Sequence, residues 1–322
     1  MAATSSKAEA ARELFFASSQ KVPPLPWPYK KLDPIETRKL AHLGYYAMEC
    51  AGGAFWGIAV QLKEKVGYPW TLLPIPDRDE VMEAVKKGKH VDSLMVYGFG
   101  GVVGWSTICG APNGSIMLMN MVIKEKKDLT ELGRALLRWY EVTPFPSDIM
   151  NELAVKGELL PPKLKYPGAL PQSVSHSVLC HVSVGRWCEK SGYASGSKER
   201  AERCARLAGD VAGKTVELLN TYFESGLEAA IRGFSLSPTT TACRKCHYKG
   251  KDFELGQFTR GFMECESCHK DLRAHAHEFI PDKKATEMGF AGASAVGAVA
   301  GFVAGVAAAS ARSPPGKKVE EE

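Results

Sequence analysis

Apolar and polar positions along the first third of the chain follow a helical period. Leu40, Leu43, Tyr46, Ala47, Ala51, Ala54, Phe55 and Ile58 recur mostly at steps of three and four, which lays a stripe along one helix face. Asp33 followed by Pro34 supplies an N-cap and a first-turn proline, so the pattern predicts one helix from Pro34 to about Val66. Cys50 and the small run Ala51-Gly52-Gly53-Ala54 sit on that stripe, where another backbone or a prosthetic group can approach closely. His42 shares the helix, and a lone histidine there reads as structural or solvated. A loop over 69–79 precedes a short helix over 80–88. Ser115 to Ile123 is apolar but too short for a bilayer, so it reads as a buried core helix. Leu129, Leu132, Ala135, Leu136 and Tyr140 mark an amphipathic helix over 129–142. Six prolines between 144 and 171 make the next stretch loop-rich, with one short helix. Leu207, Val211, Val216, Leu219, Phe223 and Leu227 then predict one long bundle helix over 199–232. The fold class is mainly α: a helical domain over 33–235, a small loop-rich segment over 236–285, and a C-terminal apolar helix.

The two ends read differently from the middle. Residues 1–32 form an N-terminal arm whose prolines at 23, 24, 26 and 28 donate no backbone hydrogen bond and hold it extended. With Trp27 and Tyr29, the arm either wraps a partner subunit or packs on its own domain. Met1 to Lys21 has neither a basic n-region nor an apolar h-region, so no secretory leader is visible. In the last segment, 286–322, Met288 to Ala311 carries no charge over 24 positions. As a helix it would be about 36 Å long, against a hydrocarbon core of ~30 Å. Gly289, Ala293, Gly297, Gly301, Gly305 and Ala309 give it a small-residue face suited to helix packing in lipid. Membrane association through a spanning helix at 288–311 is therefore expected, with basic residues at both ends leaving its orientation open.

A net charge of +5 over 322 residues gives no nucleic-acid signal. Nine cysteines are an odd number, which argues against a pure disulfide framework. Four of them lie in two CxxCH units: Cys243, Cys246 and His247, then Cys265, Cys268 and His269. That pattern attaches haem c. The two thiols add to the vinyl groups of one porphyrin, and the following histidine becomes an axial ligand of the iron. Without the histidines the same stretch is C-x2-C-x18-C-x2-C, a zinc-ribbon spacing. Histidine is 8 of 322 residues, so chance would place one after both units about one time in 1,600. Two haem c groups are the better reading. They make the chain an electron carrier rather than an enzyme, because iron held by two histidines has no open position. The rivals are a zinc-ribbon structural module and a redox enzyme that uses the haems as a relay. No Ser/His/Asp set, carboxylate pair or nucleotide loop points to a hydrolase or transferase.

Each haem needs a distal ligand beyond His247 and His269. His275 and His277 follow the second unit directly, and His181 and His176 are the other candidates, with Met263 as the alternative. His90, beside Lys87 and Lys89, reads as solvated. The remaining cysteines are Cys50, Cys109, Cys180, Cys188 and Cys204. Cys180, Cys188 and Cys204 can give three soft ligands to an iron–sulfur centre, with Cys109 or Cys50 as the fourth. Their spacing matches no ferredoxin run, and on the residues alone inert or disulfide-paired thiols are the better reading. Arg186, Lys190, Arg203 and Arg206 lie close by in sequence and would favour thiolates.

A Cys-bearing helix, a glycine cluster, the turn Cys109-Gly110-Ala111-Pro112-Asn113-Gly114, and then Cys188 and Cys204 together resemble the C_GCAxxG_C_C redox proteins. With two CxxCH units added, residues 35–280 are similar to the split-Soret cytochromes c. The resemblance implies a mainly helical homodimer with two bis-histidine haems per subunit and an iron–sulfur cluster, taken as [2Fe–2S]. It favours the cluster over inert thiols, and it implies redox partner proteins and a place in anaerobic respiration. Haem c is attached outside the cytoplasm, so a periplasmic location is expected, in conflict with the missing leader. The apolar tail is no part of the resemblance.

Overall fold

The structure is a computed structural model that describes residues 22–269. His275, His277 and the expected spanning helix at 288–311 lie outside the described residues, among which no helix is long and apolar enough to cross a membrane. The first helix, α1 (Pro34–Val66), starts where expected: the Asp33 side chain accepts a hydrogen bond from the Ile35 N–H at 2.8 Å. It is not one rod. Glu49 has φ 59° and ψ −171°, and the helix reverses there. The arms 34–48 and 50–66 run back along each other, so that the Gln61 amide donates to the Thr37 hydroxyl at 2.8 Å. In a straight helix those two positions would stand about 36 Å apart. Glycine makes the close approach possible: a Cβ on Gly53 would lie 2.5 Å from the Tyr45 nitrogen, and one on Gly57 2.6 Å from the Ala41 nitrogen. The small run does admit another backbone, and that backbone is the chain's own first arm. Periodicity does not reveal the reversal, because one non-helical residue leaves the spacing on either side almost unchanged.

The helices that follow are α2 (Arg78–Lys86), α3 (Gly110–Val122), α4 (Lys126–Val142), α5 (Asp148–Val155), α6 (Cys180–Ser191), α7 (Lys198–Ser225) and α8 (Leu227–Ala230). A minimal antiparallel ladder pairs β1 (Pro144–Phe145) with β2 (Ser173–Val174). The long helix expected over 199–232 stops at Ser225, because Gly226 takes φ 82° and breaks the run. α7 packs along α1, α3 packs on both, and one apolar core joins them. His42 is structural: its Nε2 lies 2.9 Å from Glu202 Oε1, which also accepts from Arg206 Nε at 3.0 Å, and all three side chains are fully buried. The described part of the N-terminal arm packs on its own domain. Trp27 is buried edge-on against Trp70, and its backbone N–H donates to the Met121 carbonyl at 2.7 Å.

The chain divides into two units. Among the described residues, the first runs to Ser237 and also takes Phe262–Ser267; the second comprises Pro238–Gly261, Cys268 and His269. Glu264 holds the 262–267 segment in the first unit. Buried, it accepts from Arg138 Nη1 at 3.0 Å and from the Ser237 hydroxyl at 2.9 Å, and its N–H donates to Glu141 Oε1 at 3.0 Å. The second unit opens with α9 (Pro238–Cys243) and continues as turns.

Candidate redox centres

Four thiols face one cavity of about 320 Å³ in the first unit: Cys50, Cys109, Cys180 and Cys204. Each has a local reason to be there. Cys50 opens the second arm of α1 directly after the reversal at Glu49. Cys109 is the N-cap of α3, and Cys180 is the first residue of α6. An antiparallel bridge between Ile108 and Leu179 sets these two helix starts side by side, with the Cys109 N–H on the Val178 carbonyl at 2.8 Å and the Cys180 N–H on Thr107 at 2.6 Å. Cys204 comes from α7. Three of the sulfurs thus sit at helix starts, where N–H groups and the helix dipole favour negative charge. Gly110 and Gly114 let α3 seat on α1: a Cβ at 110 would lie 2.3 Å from Cys50 Sγ, and one at 114 lies 2.2 Å from the Ala51 carbonyl oxygen.

Cys188 does not line the cavity. It stands eight residues beyond Cys180 on the same helix, a rise of about 12 Å, so the two cannot serve one small centre. Of the cysteines considered from sequence, Cys50, Cys109, Cys180 and Cys204 line the cavity and Cys188 does not.

Burial first, and then repulsion from Cys109 and Cys204, pushes the Cys180 thiol up to about 12. Burial likewise raises Cys50 and Cys109, with neighbouring sulfurs adding to it. Arg203 works in the opposite direction. Fully buried, it donates to Ser183 Oγ at 2.8 Å and points Nη1 at Cys204 Sγ at 3.9 Å, while its Nε–H has no partner among the described residues. Arg200 lines the same cavity. Buried thiols this close stay protonated unless a cation lies between them, and a buried guanidinium donor without a partner calls for an acceptor. Iron and inorganic sulfide would supply these, so the donor set fits an iron–sulfur group. Among the described residues, no three His, Cys, Asp or Glu side chains close on a single ion.

Tyr140, Ser183 and Arg200 escaped the sequence reading as wall residues. Arg200, Arg203 and Cys204 are spaced to share a helix face, so that part was legible. Tyr140 read as one more apolar stripe position, and nothing in the pattern marks its hydroxyl. Of the other predicted bases, Arg186 donates to the Ser175 carbonyl at 2.8 Å and Arg206 belongs to the Glu202 cluster.

In the second unit Cys243, Cys246 and His247 close one turn, with the His247 N–H on the Cys243 carbonyl at 2.8 Å. His247 Nδ1 lies 3.2 Å from the Gly256 carbonyl oxygen. A carbonyl only accepts, so Nδ1 carries the proton and the lone pair falls on Nε2, the tautomer that binds a metal. Cys265 begins a short 3-10 turn through Ser267 in the first unit; Cys268 and His269 follow, exposed. The rings of His176 and His181 are exposed on the first unit. His176 has φ 48° and donates its N–H to the Glu141 carbonyl at 2.8 Å. Met263 lies 3.9 Å from the Ser177 hydroxyl.

Residues 79–218 match the C_GCAxxG_C_C family of redox-active proteins. The chain is 33% identical over 259 residues to the split-Soret cytochrome c of Desulfovibrio desulfuricans (strain ATCC 27774 / DSM 6949 / MB), which spans 79% of this chain and 81% of that protein. A solved structure of the split-Soret cytochrome c from Desulfovibrio desulfuricans ATCC 27774, described as having a novel iron centre, matches with TM-score 0.61 and 31% identity, over 79% of this chain and 95% of that one. In this chain the motif's Gly-Cys is written Cys109-Gly110. The contact that any side chain at 110 would make with Cys50 Sγ accounts for the glycine.

Proposed function

The chain belongs to the split-Soret cytochromes c, and from that premise we infer an electron carrier with two covalently attached haems and an iron–sulfur centre in the thiol cavity. Membership of a cytochrome family favours haem over zinc at the four CxxC thiols. Cys243 and Cys246 would carry one haem with His247 on the iron; Cys265 and Cys268 would carry the other with His269. Cys50, Cys109, Cys180 and Cys204 would hold the centre. When bound, these groups supply one-electron chemistry without an open site for substrate.

The chain's own residues do the rest. Gly256 fixes the His247 tautomer through its carbonyl. Arg200 and Arg203 offset the charge of the thiolates, and burial of the cavity walls strengthens each of these interactions. The two distal ligands come from among His176, His181, His275 and His277.

The observation that carries this reading is that one chain joins two CxxCH units to a buried cavity ringed by four thiols and an unsatisfied arginine donor. Iron and acid-labile sulfide should be measured in the purified protein and in two variants. Cys50→Ser is expected to lose the non-haem iron and the sulfide, while Cys188→Ser keeps both and neither changes the haem. The reverse pattern would return Cys188 to the ligand set, and zinc in place of haem would end the carrier reading. We place the protein outside the cytoplasm as a homodimer, with 288–311 as a membrane tether. A single-copy mass by sedimentation would count against the homodimer, and a full-length chain that stays out of the membrane fraction would count against the tether.

A further inference from the structure

We propose that Arg138, Glu141 and Glu264 form a clasp that positions Cys265, and with it the second haem, against α4 and closes the neck of the segment that carries the first haem. The proposal rests on the two-haem reading given above and adds residues outside the CxxCH units. The chain leaves the first unit after Ser237 and re-enters it at Phe262, and residues 238–261 between them hold Cys243, Cys246 and His247. Arg138 meets both crossings. Its Nε donates to the Ser235 carbonyl at 3.1 Å on the way out, and its Nη1 donates to Glu264 Oε2 at 3.0 Å on the way back. The Ser237 hydroxyl donates to Glu264 Oε1 at 2.9 Å and joins the crossings directly. Glu141 completes the set: its Oε1 accepts the Glu264 N–H at 3.0 Å, and its Oε2 accepts from Arg138 at 3.2 Å. One turn earlier on α4, the Arg134 guanidinium lies 3.9 Å from the centroid of the Phe262 ring. Arg134, Arg138 and Glu141 follow one another at helical steps of four and three, so one face of α4 makes all these contacts.

Glu264 is therefore held at both carboxylate oxygens and at its backbone N–H. Contacts to the side chain and the backbone of one residue fix its register as well as its place, because a slip of one position along the chain loses all of them. Cys265 is the next residue, so the clasp sets where that thiol stands on the helical unit. Both carboxylates are buried. A buried ion pair adds little net stability over apolar packing, while a partner left alone is costly. The cluster thus specifies where the chain runs more than it strengthens the fold. An electron carrier needs that precision, since exchange between two centres falls steeply as they separate, and a centre on a loop is held only as well as the loop's ends.

The test uses the full-length holoprotein and two readouts, native-state trypsin cleavage and the EPR spectrum of the oxidised haems, with haem content measured by intact mass. Glu264→Ala leaves Arg138 paired with Glu141, so no buried charge is stranded and both haems should be retained. Cleavage after the exposed Lys249, Lys251 and Arg260 should become about tenfold faster, because it follows the population of the opened segment. The low-spin signal of one haem should broaden or shift while the other stays. Glu264→Gln still offers Arg138 an acceptor and should restore most of both readouts, which a general loss of stability would not do. Ser237→Ala removes the bond at the exit and should speed cleavage by about threefold. A wild-type cleavage rate and spectrum in Glu264→Ala overturns the clasp. So does a wild-type cleavage rate in Ser237→Ala, even if Glu264→Ala fails to fold. A wild-type protein without haem would remove the parent reading, and the positioning role with it, while the cleavage rates would still report on the neck.

Discussion

At the scale of single residues, Gly256 positions His247, the proposed haem ligand, by having no side chain. It sits at φ 78°, and a Cβ there would lie 2.3 Å from His247 Nδ1. Gly256→Ala should therefore push the imidazole off its carbonyl partner. The expected result is loss of the low-spin signal from one haem while the other keeps its spectrum; an unchanged visible spectrum would refute it.

Glu202 sets a pH dependence. Burial alone would raise its carboxyl, but hydrogen bonds from His42 and Tyr46 and the charge of Arg206 outweigh it and bring the group from 4.5 to about 2. A carboxylate lowered by folding contributes stability above its unfolded value and loses it as pH falls toward the folded one. The contribution, ~3 kcal/mol, is present above about pH 4.5 and fades toward pH 2. Asp210 acts with the opposite sign: buried, it rises from 3.8 to about 6, so its contribution falls as pH rises through that interval. The gap between wild type and Glu202→Gln isolates the first effect. Urea unfolding should show that gap constant above pH 4.5 and narrowing below it, and a gap that widens in acid would contradict the assignment.

At the scale of elements, the reversal of α1 is the feature that builds the cavity, since it turns Cys50 from a mid-helix position into a helix start. Gly57→Ala should cost ~1–3 kcal/mol, because the new methyl meets the Ala41 backbone at 2.6 Å and backbone cannot step aside. Gly185→Ala is the matched control. Nothing lies within 4 Å of its Cβ, and the exchange within α6 should stabilise by about 0.5–1 kcal/mol. Equal effects in chemical denaturation would argue that the arms do not touch. The start of α1 was legible because a cap is a local signal: Asp33-Pro34 marks it without any tertiary knowledge, whereas α3 starts at Gly110, five residues before the apolar run that announced it. The break at Gly226 was also written in the sequence and was overridden by the apolar stripe that continues to Leu227. The reversal at Glu49 was not written there, since glutamate carries no turn signature and its positive φ is imposed by the packing of the two arms.

At the scale of the whole molecule, the two CxxCH units could be read directly because haem attachment is a local chemical pattern. The thiol cavity could not. Its four cysteines span 155 positions, and it is the Ile108–Leu179 bridge and the α1 reversal that gather them. Sequence proximity groups Cys188 with Cys180, and the structure leaves Cys188 out of the cavity lining. Glu264 shows the same limit. It directly precedes Cys265, yet its bonds to Arg138 and Glu141 tie it into the helical unit. The most direct measurement is the intact mass of the denatured full-length polypeptide, because thioether links survive denaturation. The account predicts a mass equal to the chain plus two haem groups, with peptides 243–246 and 265–268 each carrying one. A mass equal to the bare chain, with zinc released on unfolding, would contradict it.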